Sequence, residues 1–463
     1  MKTSDAVLMD TEKLSRLLNC SHYSYSPNNG FSSVTIDSRF VKPGSLFFAL
    51  NGKSCDGHNF VNEAFKTGAM GAVVESSKLE SFNLVNIAQT MGKNLIVVQN
   101  TLKGLQDCAR VYLEMFKKLK KVGITGSSGK STTKEITAAI ICAEKNTVMN
   151  KGNLNSETGL PLSVFEVRDH HEVGVFELGM NRHGEISEIA NVLKPNVALI
   201  TNIGSAHIEY FGSKDKIFSE KKSIFNFLNK DDIALVPAND EYAKELACGV
   251  NGNVKFYSAE SFKELEGTRS LGLEGTEILW AGEKIHFALP GKHNLDDAMA
   301  AIAIAKEIPV SNKAIKQGLE SVKPLFGRLE ILKGRTTVIR DCYNASPESM
   351  AKSIEFCDSV EWPSKKVYVI ADMLELGETS RSAHEKIGAL LADSDADGIF
   401  LFGKEIKAAV PQLAKKTVFY SDDINELSSA INSFLAGGEL VLLKGSRGLA
   451  LERLSDMLTG GIN

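Results

Sequence analysis

Residues 122–135 read Val122-Gly123-Ile124-Thr125-Gly126-Ser127-Ser128-Gly129-Lys130-Ser131-Thr132-Thr133-Lys134-Glu135. A short apolar run breaks into glycine and serine, and the later spacing of Ile136 and Ile140 predicts a helix. Strand, glycine-rich turn and helix in this order are typical of a phosphate-binding loop. The glycines let backbone N–H groups turn towards a polyphosphate, and the helix N-terminus adds partial positive charge. The stretch therefore predicts that the chain binds a nucleoside triphosphate, with residues 123–132 around it.

Two side chains at the end of this loop suit the same ligand. Lys130 would place a point charge near the β- and γ-phosphates, and the Ser131 hydroxyl would be a ligand for Mg²⁺. The general pattern has glycine at position 124, where this chain has Ile124, so the match is the shorter T-G-x-x-G-K-S form. The alternative is an ordinary strand-to-helix turn that happens to contain Gly-Lys-Ser. The strand and helix around it favour the phosphate-binding loop.

Composition limits the class of protein. The 463 residues predict two or three domains, and 43% hydrophobic with 24% charged residues is typical of a soluble globular chain. A net charge of −4 gives no electrostatic reason to expect nucleic acid, and no apolar run reaches membrane-spanning length. The seven cysteines are scattered without a Cys-x-x-Cys pair. We therefore expect a protein of a reducing cytoplasm, with neither nucleic acid nor membrane as a partner.

The first hundred residues are rich in turns. Residues 46–50 predict a buried strand, and Pro43-Gly44 and Asp56-Gly57 predict tight turns. On physical grounds this is a small α/β unit whose loops present Ser38, Arg39 and His58. The alternative, plain turns with solvated charges, stays open at this point. A strand at 95–98 and an amphipathic helix at 102–116 place the first domain boundary near residue 100.

Beyond the phosphate loop, strands alternate with helices, which predicts a mostly parallel sheet. Glu177 ends an apolar strand that begins at residue 173, and His207 follows a strand that begins at residue 197. Ligands in open parallel sheets sit beyond the carboxyl ends of the strands, so both side chains should face the same crevice as Lys130. Glu177 alone could be a capped or solvated acid. Its position at the end of a buried strand favours a Mg²⁺ ligand.

An inward lysine is the least expected feature of the next helix. Ser213 is a plausible N-cap, and Lys221 falls inside the apolar stripe that contains Ile217 and Ile224, whereas Lys222 projects elsewhere. Such a lysine usually extends to the surface or pairs with an acid. Beside a predicted metal site, Lys221 is also a candidate for a functional lysine with shifted acidity.

A second boundary is predicted at Lys323-Pro324. A hairpin-like pair follows and ends near residue 341, and regular strand–helix units then place strands at 367–371, 399–402, 418–420 and 440–443. This architecture is Rossmann-like, although no Gly-x-Gly-x-x-Gly opens its first helix. The predicted fold is therefore α/β in three domains: a small α/β domain at 1–100, a central phosphate-loop domain with a parallel sheet at 101–323 and a Rossmann-like domain at 324–463.

Taken together, these residues resemble the ATP-dependent Mur ligases of peptidoglycan synthesis. The resemblance covers nearly the whole chain and rests on the order and spacing of motifs at 37–39, 43–47, 56–58, 125–131, 177–179, 207–213, 290–294, 327–329, 341–347, 372–377 and 444–447. Within the family, the stretches at 341–347 and 372–377 resemble the type that joins D-alanyl-D-alanine to a UDP-N-acetylmuramoyl tripeptide. A D-N-P-R signature of the diaminopimelate-adding relatives is absent from the sequence.

The resemblance implies a role for each predicted site residue in the first two domains. Ser38 and Arg39 would hold the uridine diphosphate end of the substrate. Lys130 and Ser131 would bind the ATP phosphates and Mg²⁺, and Glu177 and His207 would hold metal. Lys221 matches the lysine that is carbamylated in this family. A carbamate turns an inward ammonium into a carboxylate, which would serve a second Mg²⁺.

The resemblance also implies nucleotide contacts further along the chain. Asn294 would contact adenine, and Arg328 and Asp341 would contact the nucleotide from the third domain. Two positions depart from the family pattern. Ser223 stands where an acid usually follows the carbamylated lysine, and Asp297 stands where an asparagine is usual, which leaves its part in adenine binding open.

Two other functions fit parts of the sequence. A folylpolyglutamate-type ligase would share the central fold and chemistry, but those relatives begin almost directly at the phosphate loop. A nucleotide switch would hydrolyse ATP without an amine acceptor, so turnover that depends on the acceptor separates it from a ligase. We expect a monomer in a bacterial cytoplasm. The third peptide residue, diaminopimelate or lysine, is open.

Overall fold

A computed structural model of the chain describes residues 7–52 and 55–461. Four larger sheets and a short strand pair divide these residues, and most neighbouring strands in the larger sheets are parallel. The predicted α/β architecture is therefore confirmed. No helix among the described residues is both long enough and apolar enough to cross a membrane.

The first unit is built around a sheet of order β2-β7-β6-β5-β4, in which β5, β6 and β7 are fully buried. The predicted strands at 46–50 and 95–98 are confirmed as β5 and β7. Its elements are β1 (Met9–Asp10), α1 (Thr11–Leu18), β2 (Ser21–Tyr23), β3 (Gly30–Phe31), β4 (Ser33–Thr35), β5 (Ser45–Phe48), α2 (Val61–Thr67), β6 (Gly71–Glu75), α3 (Leu84–Met91) and β7 (Asn94–Val98).

The second unit contains a parallel sheet of order β13-β12-β11-β8-β10-β9, and the strand order changes direction at β8. Ligand sites in such sheets form where the order reverses. Its elements are α4 (Thr101–Leu113), β8 (Lys120–Thr125), α5 (Lys130–Cys142), β9 (Thr147–Met149), α6 (Gly159–Val164), β10 (Val173–Glu177), α7 (Glu185–Leu193), β11 (Val197–Ile200), α8 (Ile208–Phe211), α9 (Lys214–Lys222), β12 (Ile233–Pro237), α10 (Ala243–Ala247) and β13 (Asn253–Tyr257).

An antiparallel sheet and two helices complete this unit. They are β14 (Leu265–Ser270), β15 (Thr276–Trp280), β16 (Glu283–Phe287), α11 (Lys292–Glu307) and α12 (Asn312–Ser321). β15 and β16 form a hairpin, and α11 begins at Lys292, five residues after β16 ends at Phe287. Gly291 ends the preceding loop at φ +88°, so the helix can start immediately after it.

The third unit contains a sheet of order β17-β18-β22-β19-β20-β21, parallel except for the β17–β18 hairpin. All four strands predicted after residue 360 are confirmed within one or two residues. Its elements are β17 (Glu330–Lys333), β18 (Thr337–Asp341), α13 (Pro347–Ser359), β19 (Lys366–Ala371), α14 (Ser380–Asp393), β20 (Gly398–Phe402), β21 (Val418–Ser421), α15 (Ile424–Phe434), β22 (Leu440–Lys444) and α16 (Ser455–Thr459).

Core packing joins the first two units more tightly than the third. One hydrophobic cluster runs from Phe48 in β5 through Leu105 in α4 to Phe176 in β10. The third unit has separate clusters on the two faces of its own sheet. Burial of apolar area is the main stabilising term, so the first two units share a core while the third supplies its own.

Gly318 provides a test of how α12 supports the phosphate-loop helix α5. A Cβ at Gly318 would lie 2.3 Å from the Ile140 Cα. Alanine favours a helix more than glycine by about 1 kcal/mol, but the clash with backbone should cost about 1–3 kcal/mol. We expect Gly318→Ala to lower the midpoint of thermal unfolding. Gly267→Ala is the control, because nothing lies within 4 Å of a Cβ there; equal midpoints would contradict the packing.

Candidate functional site

A cavity of about 480 Å³ lies between the carboxyl ends of the central strands and the third unit. Lys130, Glu177, His207, Lys221 and Arg328 all line it, together with residues 127–132 of the phosphate loop. The cavity is where the strand order changes direction at β8. The structure therefore brings together side chains from distant parts of the sequence.

The phosphate loop has the predicted strand–turn–helix form between β8 and α5. Gly129 adopts φ +78°, and a Cβ there would lie 2.1 Å from Asp297 Oδ1. Asn202, just after β11, accepts a hydrogen bond from the Ser128 backbone N–H at 3.1 Å and donates one to Ser128 O at 3.1 Å. Thr201 Oγ1 also donates to Ser128 O, at 2.6 Å. The loop is held against the neighbouring strand end as well as by its own glycines.

Lys130 is folded back on the loop that carries it. Its Nζ donates to Gly126 O at 2.8 Å and to Ser127 O at 3.3 Å. Burial lowers the pKa of Lys130, Glu177 opposes this shift, and Arg328 adds to it. Carbonyl oxygens are weaker partners for an ammonium than phosphate oxygens. The side chain is therefore suited to exchange these contacts for a polyphosphate.

Glu177 is 1% exposed and accepts two side-chain hydrogen bonds. Ser131 Oγ donates to Oε2 and Asn155 Nδ2 donates to Oε1, both at 2.7 Å. Asn150 exchanges hydrogen bonds with the Glu177 backbone at 2.9 and 3.0 Å. Sequence reasoning missed Asn150 and Asn155. Both follow the short strand β9, so the rule about strand ends could have found them.

Oxygen ligands at this point suit Mg²⁺, which prefers carboxylate and hydroxyl oxygens. No group of three His, Cys, Asp or Glu side chains that could hold a metal occurs within residues 7–52 and 55–461. A site at Glu177, Ser131 and His207 thus supplies only one carboxylate.

His207 adopts a left-handed conformation, φ +66°, immediately before α8. Its Nδ1 lies 2.6 Å from Oε2 of Glu375 in the third unit. The imidazole holds the pKa of Glu375 below its usual value, against the opposing effect of burial. Sequence reasoning placed His207 near Lys130 but did not find Glu375.

Lys221 points inward, as the helical spacing predicts. It is 1% exposed, and its Nζ lies 3.6 Å from Met180 Sδ. Burial holds its pKa well below the usual value, and the charge of Lys130 adds to this shift while Glu220 opposes it. Glu220 instead accepts hydrogen bonds from the backbone N–H groups of Gly184 and Ile186 at 2.8 and 2.9 Å. The alternative that Lys221 extends to the surface does not match this placement.

Arg328 reaches from the third unit to the phosphate loop. Its Nη2 donates to Ser131 Oγ at 3.0 Å, and its guanidinium lies over the Tyr343 ring at 4.3 Å. Asp341 is 2.8 Å from Lys444 Nζ and accepts a hydrogen bond from Ser353 Oγ at 2.6 Å. Burial acts to raise the pKa of Asp341, but Lys444 and the hydrogen bonds outweigh it and the pKa is lowered. Asp341 thus lines the cavity as a paired carboxylate.

Asn294 and Asp297 project from the start of α11 into the same cavity. Asn294 Nδ2 donates to Pro290 O at 2.7 Å, which fixes the orientation of its amide. Asp297 is buried against Gly129, and burial raises its pKa well above the usual value despite the nearby charge of Lys352. Asp297 therefore faces the phosphate loop.

The residues predicted at the first domain lie apart from this cavity. Ser38 is buried with its Oγ 3.5 Å from Glu63 Oε2. Arg39 is exposed and pairs with Asp37 at 2.6 Å. The expectation that loops present Ser38 and His58 is wrong, because both side chains are buried. The His58 Nδ1 contacts Asp56 at 2.6 Å, and its Nε2 accepts from the Glu75 N–H at 2.9 Å.

Three family descriptions match successive parts of the chain. "Mur ligase family, catalytic domain" matches residues 31–112, "Mur ligase middle domain" matches residues 124–305, and "Mur ligase, glutamate ligase domain" matches residues 327–447. The second match contains the phosphate loop and the third begins beside Arg328. Together they cover both sides of the cavity.

Similar proteins span the same length. A UDP-N-acetylmuramoyl-tripeptide–D-alanyl-D-alanine ligase of Treponema pallidum is 40% identical over 93% of this chain and 94% of its own. MurF from Acinetobacter baumannii has a similar structure, with a TM-score of 0.86, 28% identity and coverage of 97% of this chain and 98% of that one. MurF ligase from Thermotoga maritima in complex with ADP has a TM-score of 0.80 at 29% identity, with coverage of 93% and 97%. This chain belongs to the Mur ligase family.

Proposed function

We propose that this chain joins D-alanyl-D-alanine to a UDP-N-acetylmuramoyl tripeptide, and that ATP is converted to ADP and phosphate through an acyl phosphate. The observation that carries the proposal is the contact of Arg328 with Ser131 beside Glu177, which completes a site for a polyphosphate between two units. The 40% identical relative named for these substrates supports the substrate assignment. As a Mur ligase, the chain is an ATP-dependent ligase that forms an amide bond.

The first step transfers the γ-phosphoryl group of ATP to the terminal carboxylate of the tripeptide. A carboxylate oxygen forms the new O–P bond while the bond to the β-phosphate oxygen breaks, which gives an acyl phosphate and ADP. Negative charge develops on the transferred group and the leaving oxygen. Lys130, from the phosphate loop, and Arg328, from the third unit, would stabilise this charge in a water-excluding site, where such contacts are strong.

The second step forms the amide. The neutral amine of D-alanyl-D-alanine attacks the activated carbonyl carbon, a tetrahedral intermediate forms, and phosphate leaves as the amine loses a proton. Water competes with the amine for the acyl phosphate, so the cleft must be closed. In the structure, Arg328 already contacts the phosphate loop, as closure requires.

Magnesium would be held by Ser131, Glu177 and His207, and a second ion by Lys221 as a carbamate. When bound, Mg²⁺ neutralises phosphate charge. The buried oxygen ligands at Glu177 fit such an ion, whereas an ammonium at Lys221 would repel it. Because burial favours the neutral amine of Lys221, that amine can add to CO₂, which forms an N–C bond and releases one proton.

Several further expectations belong to this proposal. Domain boundaries near residues 100 and 323 are supported by sheets that occupy 21–98, 120–257 and 330–444. Ser38 and Arg39 would hold the uridine diphosphate, and Asn294 and Asp341 the nucleotide.

None of the seven cysteines, all within the described residues, is disulfide-bonded, in keeping with the expected cytoplasm. A monomer is likewise our expectation. The match at residues 31–112 favours this function over a folylpolyglutamate-type ligase.

Lys130→Ala tests the phosphate-loop assignment. Because Lys130 would stabilise charge that develops at the phosphates, its loss should lower kcat for ADP release by at least ~100-fold without unfolding the chain. Lys118→Ala removes the same charge from an exposed site before β8 and should be neutral. ADP release by a folded Lys130→Ala protein at the rate of the control would refute the assignment.

Lys221 should carry a carbamate at neutral pH, because burial lowers its pKa and so favours the neutral amine, which is the form that adds CO₂. With ¹³C-bicarbonate, we expect a carbamate resonance in the wild type that Lys221→Ala lacks. Lys222→Ala, one residue along the helix, should keep it. Acetate or another short carboxylate should partly restore activity to Lys221→Ala. A carbamate resonance that persists in Lys221→Ala would count against a carbamate on Lys221.

Arg328→Ala separates a contact with ATP from a general role in the third unit. We expect kcat to fall by about 100-fold or more, since Arg328 acts on the transferred group, while calorimetric affinity for the UDP-linked tripeptide stays unchanged. Arg381→Ala is the control, because this arginine is exposed and pairs only within its own helix with Glu385. Equal activity of the two variants would show that Arg328 does not act at the phosphates.

A further inference from the structure

Two carboxylates of the third unit hold the segment that follows β11, here called the 204–209 segment. Glu348, in the first turn of α13, accepts hydrogen bonds from the Ser205 backbone N–H and from Ser205 Oγ, both at 2.9 Å. Glu375 contacts the segment with its carboxylate at His207 and accepts from the Glu209 N–H with its carbonyl oxygen at 3.0 Å. Hydrogen bonds to an ionised acceptor are about twice as strong as neutral ones.

The Glu348 contact leads directly to the phosphate loop. Gly204 N donates to Ser127 Oγ at 2.7 Å, and Ser127 Oγ donates to Gly204 O at 3.1 Å. Packing is tight at this point: a Cβ at Gly204 would lie 3.3 Å from both Ser127 Cβ and Glu348 Cδ. A displacement of Glu348 would therefore move the Gly204 backbone, whose hydrogen bonds hold the Ser127 side chain in position.

The Glu375 contact leads to His207. Both residues have left-handed backbones, at φ +63° and +66°, although neither is glycine. Such conformations are strained for residues other than glycine and persist where surrounding contacts fix them. Here the two strained residues meet each other, with Nδ1 and Oε2 2.6 Å apart. The close contact of this carboxylate with Nδ1 restricts rotation of the His207 ring.

We propose that Glu348 and Glu375 are positioning residues through which the docked third unit sets the phosphate loop and orients the imidazole of His207. This inference rests on the proposed function. It makes docking of the third unit a condition for nucleotide binding as well as for exclusion of water. A purely structural role is the alternative, because an acid such as Glu348 near the start of a helix also stabilises it.

Calorimetry with ADP and Mg²⁺ separates these possibilities. Glu348→Gln and Glu375→Gln remove a charge and one acceptor, and each should weaken ADP binding by about three- to tenfold. The midpoints of thermal unfolding should match that of Glu355→Gln, an exposed acid of α13 without a side-chain hydrogen bond or ion pair among the described residues. In turnover, KM for ATP should rise and KM for the UDP-linked tripeptide should stay constant. ADP affinities within twofold of the Glu355→Gln control would overturn the proposal.

Ser205→Ala tests the same contact from the central side and leaves α13 unchanged. If Ser205 acts through Glu348, the double variant should bind ADP no more weakly than Glu348→Gln alone. Losses that multiply would overturn the coupling, and this comparison decides the point even if Glu348→Gln is less stable. Because ADP binding needs no amide formation, failure of the ligase assay in the wild type would contradict the proposed function and leave the binding test intact.

Discussion

A chain of hydrogen bonds from Arg328 through Ser131 to Glu177 connects the two halves of the site. Arg328 belongs to the unit that supplies its own hydrophobic core, whereas Ser131 and Glu177 belong to the central sheet. Ser131 accepts from the guanidinium and donates to the carboxylate, so the hydroxyl is oriented from both sides. Arg328 can make this contact only while the third unit is docked.

The lysines near these hydrogen bonds are placed in the protein interior at a cost in free energy. Lys221 is buried and Lys130 is half-buried, and burial lowers the pKa of each. An unpaired buried charge is expensive unless it is neutralised or meets a partner. For Lys130 the loop carbonyls are partners that a polyphosphate would replace. For Lys221 burial favours the neutral amine, which is the form that would add CO₂. The same low dielectric environment strengthens every contact to a phosphoryl group.

Packing explains why these contacts sit at a boundary between rigid parts. The first two units share a hydrophobic cluster through α4, whereas the third has clusters of its own. The third unit meets the second through polar pairs, Ser205 with Glu348 and His207 with Glu375, and through a few apolar side chains such as Ile208. Relative motion is the usual expectation where no large hydrophobic interface joins two domains. The strained backbones at His207 and Glu375 lie at this interface.

Local patterns in the sequence were enough to predict the phosphate loop, the parallel sheet and the inward direction of Lys221, because each depends on the spacing of nearby residues. Strand periodicity placed Glu177 at a strand end, and helical periodicity placed Lys221 among apolar residues. Which side chains meet in the site, by contrast, follows from how the three units pack. Asn155 on Glu177, Glu375 on His207 and Glu348 on Ser205 join residues far apart in sequence. His58 is an example of a failed local prediction. Its turn-rich sequence suggested an exposed side chain, but residues that are distant in sequence, such as Glu75, bury the ring. Contacts between distant residues depend on how sheets and helices pack, and no local pattern encodes that packing.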